Sequence, residues 1–315
     1  MYIYYWTTLI FTILLDTFSK CRGLNWHIWW THEGISGPDF WGHMNTDWYL
    51  CTKGKQQSPI NIDPRELLFD MTLTPIKVEG GRVDGVLSNT GHFIRFLVND
   101  TFNRELTVSR GPLTYTYSIT DYIIHFGGFD SMGSEHTIDG HSFPGEIQIM
   151  AYNSDLYSNF SMAVNSPHGL ASISILVQIG TVPNREIESL ATAFKQIKYQ
   201  GLAVPISQFS IPDLLPNTPH YMTYDGSLTA PGCEETVTWI IINKPLYVTD
   251  EIMSIFRSLM RGTEDTPRGL MENNFRPTQR HEGRSVRTNV NVGKSSPLCS
   301  VKKETYYQAN VPGRN

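Results

Sequence analysis

The side chains of this chain best able to do chemistry gather between Asp121 and Asn153, in DYIIHFGGFDSMGSEHTIDGHSFPGEIQIMAYN. Imidazole and carboxylate bind metals and move protons, and here they stand as His125, Glu135, His136 and Glu146, with the amide of Gln148 beside them. A metal centre built on His125 would have to recruit further donors such as His92 or Gln148. Two strands must position these groups. Tyr122 to Phe126 is apolar and extended, so Ile123 and His125, two residues apart, share a face. In the second strand Glu146, Gln148 and Met150 lie on one face and Ile147 and Ile149 on the other. Gly127, Gly128, Gly133, Gly140 and Gly145 punctuate the connection and suit sharp bends.

Ile123 to Thr137, I-I-H-F-G-G-F-D-S-M-G-S-E-H-T, and Glu146 to Asn153, E-I-Q-I-M-A-Y-N, resemble the patterns H-x-H-W-G-S-x-x-x-x-G-S-E-H-T and E-x-H-x-V-H-W-N of alpha-class carbonic anhydrases. Anchored on Gly133-Ser134-Glu135-His136 and Glu146, the segments align without gaps. The resemblance puts the family's zinc-binding histidines at Ile123, His125 and Gln148, and only His125 is a histidine. A catalytic zinc site needs three protein ligands and an open position for water. Ile123 has no lone pair, and the amide oxygen of Gln148 is a hard, neutral donor that suits zinc poorly. Without the metal, water keeps a pKa near 15.7 instead of about 7, and no hydroxide forms at neutral pH. The expectation is therefore a scaffold without its chemistry: no catalytic residue, no metal, no cofactor.

The 315 residues allow two domains or one large β domain. An apolar content of 40% and an aromatic content of 12% suffice for a sizeable core. Charge is uneven: Arg276 to Asn315 holds eight Lys/Arg and two Glu, a net +6, within a chain of net −5. Such a basic tail reads either as a contact arm or as a solvated end. Tyr5 to Leu15 is a short apolar run of the secretory type, although no basic residues precede it; residues 1–21 are assigned to the leader, with cleavage between Ser19 and Arg22. No other stretch is apolar for about 18 residues, so no transmembrane segment is expected, and no nucleic-acid partner either. The four cysteines fit an oxidising compartment. Cys21 leaves with the leader if cleavage falls after it, and Cys299 is then left over, as an inert thiol or an intermolecular link. The sequons Asn99-Asp100-Thr101 and Asn159-Phe160-Ser161 suit a secreted, extracellular protein.

Further motifs extend the resemblance over roughly Trp26 to Val292. Cys51, ahead of Gln57-Ser58-Pro59-Ile60-Asn61-Ile62, and Cys233, after Ser227-Leu228-Thr229, match a disulfide of secreted family members. Asn89-Thr90-Gly91-His92 resembles N-N-G-H, whose histidine shuttles protons; with no bound water to deprotonate, His92 reads as a lone histidine in a polar pocket. Thr229 and Glu135 match the family's threonine–glutamate pair, and a buried hydroxyl–carboxylate hydrogen bond there has structural value without catalysis. Asn274-Phe275-Arg276-Pro277-Thr278-Gln279 resembles a closing N-x-R-P-x-Q. Trp26, Trp29, Trp30, Trp41 and Trp48 form either a carbohydrate platform or a packed aromatic cap, of which packing is the expectation.

Among the elements, Thr74 to Val98 predicts hairpin-like strands broken at Gly80-Gly81 and Asn89-Thr90-Gly91. Leu170 to Ile179 predicts a central strand, and Trp239 to Val248 another. One helix is expected from Pro183-Asn184 through Ile197 and a second from Thr249 to Met260. Leu202 to Pro219 reads as a long surface segment.

Within the family the chain is most similar to the secreted carbonic anhydrase-related proteins of the X/XI group, through Trp29-Trp30, the two cysteine positions, Met222 to Ser227, Ile240 to Pro245, Arg287-Thr288-Asn289 and a tail cysteine. The group usually carries arginine where this chain has Ile123, and either residue abolishes ligation there. The resemblance implies a mainly β fold, a single domain over residues 22–292 with a large twisted, mostly antiparallel sheet and a few peripheral helices. A basic tail over 293–315 follows, expected to be disordered. It also implies a non-catalytic binding protein linked to neurexin-type neuronal surface receptors, with Cys299 placed for a disulfide-linked partner. The alternative is a weakly active zinc-dependent carbonic anhydrase or hydrolase.

Overall fold

The computed structural model describes residues 29–99 and 106–291. The leader with Cys21, Trp26, the Asp100-Thr101 part of the first sequon, and the tail with Cys299 lie outside the described residues.

Strand-forming runs dominate, and the longest pair into one sheet of 13 strands. Eight carry the architecture: β1 (Val83–Asn89), β2 (Ile94–Val98), β3 (Tyr117–Phe126), β4 (Gly145–Asn153), β5 (Leu170–Ile179), β6 (Ala203–Phe209), β7 (Tyr221–Gly226) and β8 (Val237–Ile242). Their order across the sheet is β6-β1-β2-β3-β4-β5-β8-β7, closed by the short segments Arg287–Thr288 and Leu68–Phe69. The eight pair antiparallel except β5 with β8. The β-branched, apolar run of β5 is buried along most of its length, as a central strand covered on both faces must be. Among the described residues no helix is long and apolar enough to cross a membrane.

Alternation splits the burial into two layers. Ile147 and Ile149 of β4 and Ile173 and Ile175 of β5 join one core, where the helix Asp250–Arg257 packs through Ile252, Met253, Ile255 and Phe256. Thr249 starts that helix by accepting a hydrogen bond from the Ile252 amide, and Asp250 and Glu251 complement its N-terminus. Leu170, Leu176, Trp239 and Ile241 face the opposite layer. A third cluster joins Trp30, Trp41 and Trp48 to the Cys51–Cys233 disulfide, so these tryptophans pack; Trp29 is 45% exposed.

Four sequence expectations are corrected. The single helix expected through Ile197 is two, Arg185–Ser189 and Ala191–Gln196, meeting at Leu190 (φ −88°, ψ 0°), whose amide bonds back three residues to the Ile187 carbonyl. Leu202 to Pro219 holds strand β6 and a short helix, Ile211–Leu214; Pro205 is tolerated because β6 is an edge strand. No hairpin forms across Gly80-Gly81: Ile76–Glu79 pairs with Thr107–Arg110, while β1 and β2 make the expected hairpin. The strand expected from Trp239 to Val248 divides into β8 and Leu246–Val248, with Pro245, which lacks an amide donor, at the break.

Candidate functional site

The β3–β4 pairing assembles the candidate residues. Ile123 stands opposite Gln148 and His125 opposite Glu146. A bulge between Ile119 and Asp121 changes the phase of β3: Tyr117 and Ile119 enter the core before it, Tyr122, Ile124 and Phe126 after it. That one-residue insertion turns Ile123 and His125 onto the face shared with Gln148.

His125 is fully buried. Its Nδ1 lies 2.7 Å from the Asn274 carbonyl oxygen, so Nδ1 carries the proton and donates. Nε2 is left with a lone pair and has no hydrogen-bond partner among the described residues. Phe93 sits edge-on to the ring at 5.2 Å.

Gln148 is buried as well, and its amide is committed. Nε2 donates to Glu135 Oε2 at 2.7 Å and to Glu146 Oε1 at 3.0 Å. Two carboxylate acceptors require the nitrogen on that side. Glu135 Oε1 accepts from the Arg276 amide at 2.8 Å. The expected Thr229–Glu135 hydrogen bond is absent among the described residues: Thr229 is buried, but Gln148 and the Arg276 backbone supply the donors to Glu135.

Glu146 is the best-satisfied carboxylate in the site. Oε2 accepts from the amides of Glu135 and His136, and Oε1 from His136 Nδ1, Gln148 and Ser174 Oγ. Burial pushes its pKa up, but the charge and hydrogen bonds of His136 outweigh this and bring it down to about 2. A depressed carboxylate contributes stability that is complete above its unfolded value of 4.5 and is lost as pH falls through 2. The contribution is on the order of 3 kcal/mol. Glu146→Gln should therefore flatten the fall of the thermal midpoint between those two pH values; an unchanged slope would assign the acid sensitivity elsewhere.

Sequence reasoning missed how this carboxylate is braced. His136 Nε2 meets the Tyr224 hydroxyl at 2.7 Å, and Tyr224 donates to Ser58 Oγ at 2.9 Å. Arg276, 1% exposed, donates to Gln57 Oε1 and to the Ser58 and Cys51 carbonyls. The N-F-R-P-T-Q motif marked Arg276, but not its burial.

His92 lines a cavity with polar neighbours, among them Gln200, Arg261, Asn273 and Asn274, as expected of it. It stacks on Trp30 with centroids 3.9 Å apart and planes 3° from parallel, and burial lowers its pKa to about 4. His32, unmarked in the sequence, packs against Trp30 and Phe93. Both sequon asparagines are exposed. Asn159 caps the turn Phe160–Ala163 through Oδ1, and its Nδ2 donates to Ser158 Oγ at 3.5 Å.

Residues 36–290 match the sequence model of the eukaryotic-type carbonic anhydrase family. The chain belongs to that family. It is 44% identical over 292 residues to carbonic anhydrase-like protein 2 of Caenorhabditis elegans, covering 89% of this chain and 86% of that one. Carbonic anhydrase-like protein 1 of the same organism is 32% identical over 327 residues, covering 83% and 90%. Human carbonic anhydrase 7 is 34% identical over 262 residues, covering 83% and 97%. Against the zinc site of a carbonic anhydrase, the donor set here does not fit. Position 123 offers a hydrocarbon, Gln148 spends its amide nitrogen on two carboxylates, and one imidazole remains where three ligands are required. Among the described residues no group of three His, Cys, Asp or Glu is placed to hold a metal ion.

Proposed function

We propose that this carbonic anhydrase-related chain is an extracellular binding protein that neither holds zinc nor hydrates carbon dioxide. The observation that carries the reading is Gln148: an amide donating to Glu135 and Glu146 satisfies the two buried carboxylates without a metal. The site is closed as a hydrogen-bond network, while the fold around it is kept. The leader-like segment, the Cys51–Cys233 bridge and the exposed sequon asparagines support secretion. Purified protein should carry far less than one zinc per chain after dialysis; a stoichiometric ion retained against a weak chelator would overturn the reading.

The proposed partner is a cell-surface protein, with neurexin-type receptors the class implied by similarity to the X/XI group. Cys299 would make the link covalent. Cys299→Ser should abolish a reductant-sensitive, slow-migrating species on non-reducing gels of cell-surface material; an unchanged pattern would remove the covalent version. A weak zinc enzyme is the second reading, and what supports it is the Nε2 of His125, which has no hydrogen-bond partner among the described residues. Carbon dioxide hydration measured with added zinc decides between the two.

A further inference from the structure

The outer face at one end of the sheet carries an apolar row that is open to solvent. Val86 of β1 stands directly opposite Leu97 of β2 on one side and Pro205 of β6 on the other. Side chains directly opposite on neighbouring antiparallel strands lie within about 5.5 Å of each other, so the three are contiguous. Val86 is 40% exposed and Leu97 45%, and Pro205 is exposed as well. Their chain neighbours Leu87 and Phe96 point the other way, into the core. Apolar side chains scattered singly on a surface need no explanation, but a row joining three strands at the free edge of a sheet invites association. The edge itself is blunted by Pro205, which has no amide proton, and by the bulge between Ile206 and Phe209. Neither device covers the face.

The row has a polar border on each side. On one lies Ser88, opposite both Ala203 and Arg95, and Arg95 Nε donates to Asp121 Oδ2 at 2.7 Å. On the other lie Asp84 and Asn99, where the Asn99 amide donates to the Asp84 carbonyl at 2.9 Å. Asn99 is exposed and opens the sequon Asn99-Asp100-Thr101. It follows Leu97 by two residues, so it shares the face of Leu97 and lies about 7 Å further along the strand. The row is thus within reach of the first sugars of an N-linked glycan. Pyranose rings present C–H faces to an apolar surface and hydroxyls to water.

We infer that Asn99 carries an N-linked glycan whose first sugars lie over the Pro205–Val86–Leu97 row and shield it from water and from other chains. The donor is a lipid-linked oligosaccharide diphosphate. Asn99 Nδ2 bonds to C1 of its first sugar, the bond from C1 to the diphosphate breaks, and the amide proton leaves with the displaced lipid diphosphate. The inference rests on the extracellular reading above and gives one sequon a structural task. Asn159, at the cap of Phe160–Ala163 and outside the three strands, serves as the control.

The test uses the full chain secreted by eukaryotic cells. Mass spectrometry of the peptide holding Asn99 should show it glycosylated. Enzymatic removal of the glycan from folded Asn159→Gln protein, which keeps only the Asn99 sequon, should raise the emission of anilinonaphthalene sulfonate, a reporter of exposed apolar surface, at least ~2-fold. The thermal midpoint should fall by about 2–4 °C. Thr101→Ala, which ends the sequon and keeps Asn99, should reproduce both changes, and Asn159→Gln alone should reproduce neither. Leu97→Ser added to Thr101→Ala should return the dye emission to the parent level. An unglycosylated Asn99 beside a glycosylated Asn159, an emission unmoved by deglycosylation, or a rise that survives Leu97→Ser overturns the inference. So does a glycosylated protein that sediments as a dimer and becomes monomeric with Leu97→Ser, since a second copy would then cover the row. Two bare asparagines on protein retained inside the cell sink the extracellular reading as well; secreted protein glycosylated at Asn159 keeps that reading whatever Asn99 carries.

Discussion

Ile123→His and Gln148→His together should convert this chain into a zinc protein. The backbone for three ligands is already assembled, since positions 123 and 148 face each other across β3 and β4 and His125 lies on the same face. The third imidazole is also oriented: Nδ1 of His125 donates to the Asn274 carbonyl and leaves Nε2 available, the tautomer that second-shell contacts impose on zinc-binding histidines. A histidine at 148 can keep one of the existing contacts by donating to Glu146 Oε1. It gives up the contact to Glu135, and losing a donor to a buried carboxylate costs roughly 1–3 kcal/mol. Without metal the double variant should thus be less stable than the parent by about that amount. With metal the sign reverses. At the lower end for structural zinc, about 10 kcal/mol, the Kd is roughly 50 nM. Free zinc at about one hundred times that Kd then returns ~2.7 kcal/mol of stability. Each single variant supplies only two imidazoles and should bind far more weakly. Zinc content after dialysis and the zinc-induced rise in thermal midpoint are the measurements. A double variant that folds and still binds no zinc would show that the backbone at 123, 125 and 148 does not hold three imidazoles in a ligating arrangement.

The incomplete set of zinc-type ligands was legible because it is a matter of residue type: no conformation gives Ile123 a lone pair. The use to which Gln148 is put was not legible. Read along the chain, its amide was weighed as a poor oxygen donor to a metal; in the fold its nitrogen is the active group, because the turn back from β3 brings Glu135 and Glu146 onto either side of it. Contacts of that kind depend on how a glycine-rich connection closes, which local pattern does not specify. The long apolar strand β5 and the Thr249 cap were readable from alternation and capping chemistry. The break at Leu190 was not, since Ile187, Leu190 and Phe194 keep helical spacing through it and all are buried. The bulge near Thr120 left no sequence mark either, although it decides which face His125 occupies. His32 was missed for a similar reason: nothing in Trp30-Thr31-His32 distinguishes a histidine in an aromatic cap from one on a surface.

Removing the Cys51–Cys233 bridge with a pair of alanines should be strongly destabilising. The two cysteines are 182 residues apart in sequence, and closing a loop of that length constrains the unfolded chain by about 5 kcal/mol in the chain-entropy model. For a domain of this size that corresponds to a fall in thermal midpoint of roughly 10–20 °C. The damage should also have a place. The bridge packs within the Trp30, Trp41 and Trp48 cluster, and its own carbonyls anchor a polar knot: Cys51 accepts from Arg276 Nη2, Cys233 accepts from Gln57 Nε2, and Gln57 accepts from Arg276 Nη1. The Arg276 guanidinium also lies 5.6 Å from the Trp41 ring. If the knot holds the aromatic segment by itself, tryptophan emission of the double-alanine variant will stay native until the whole domain melts. If the bridge is what holds it, emission should shift to longer wavelength below the global transition, as water reaches the indoles first. The second result is expected, because a buried guanidinium whose Nε has no partner among the described residues is incompletely compensated. Arg276→Met with the bridge intact completes the test: it should lower the midpoint while leaving emission and the global transition coincident.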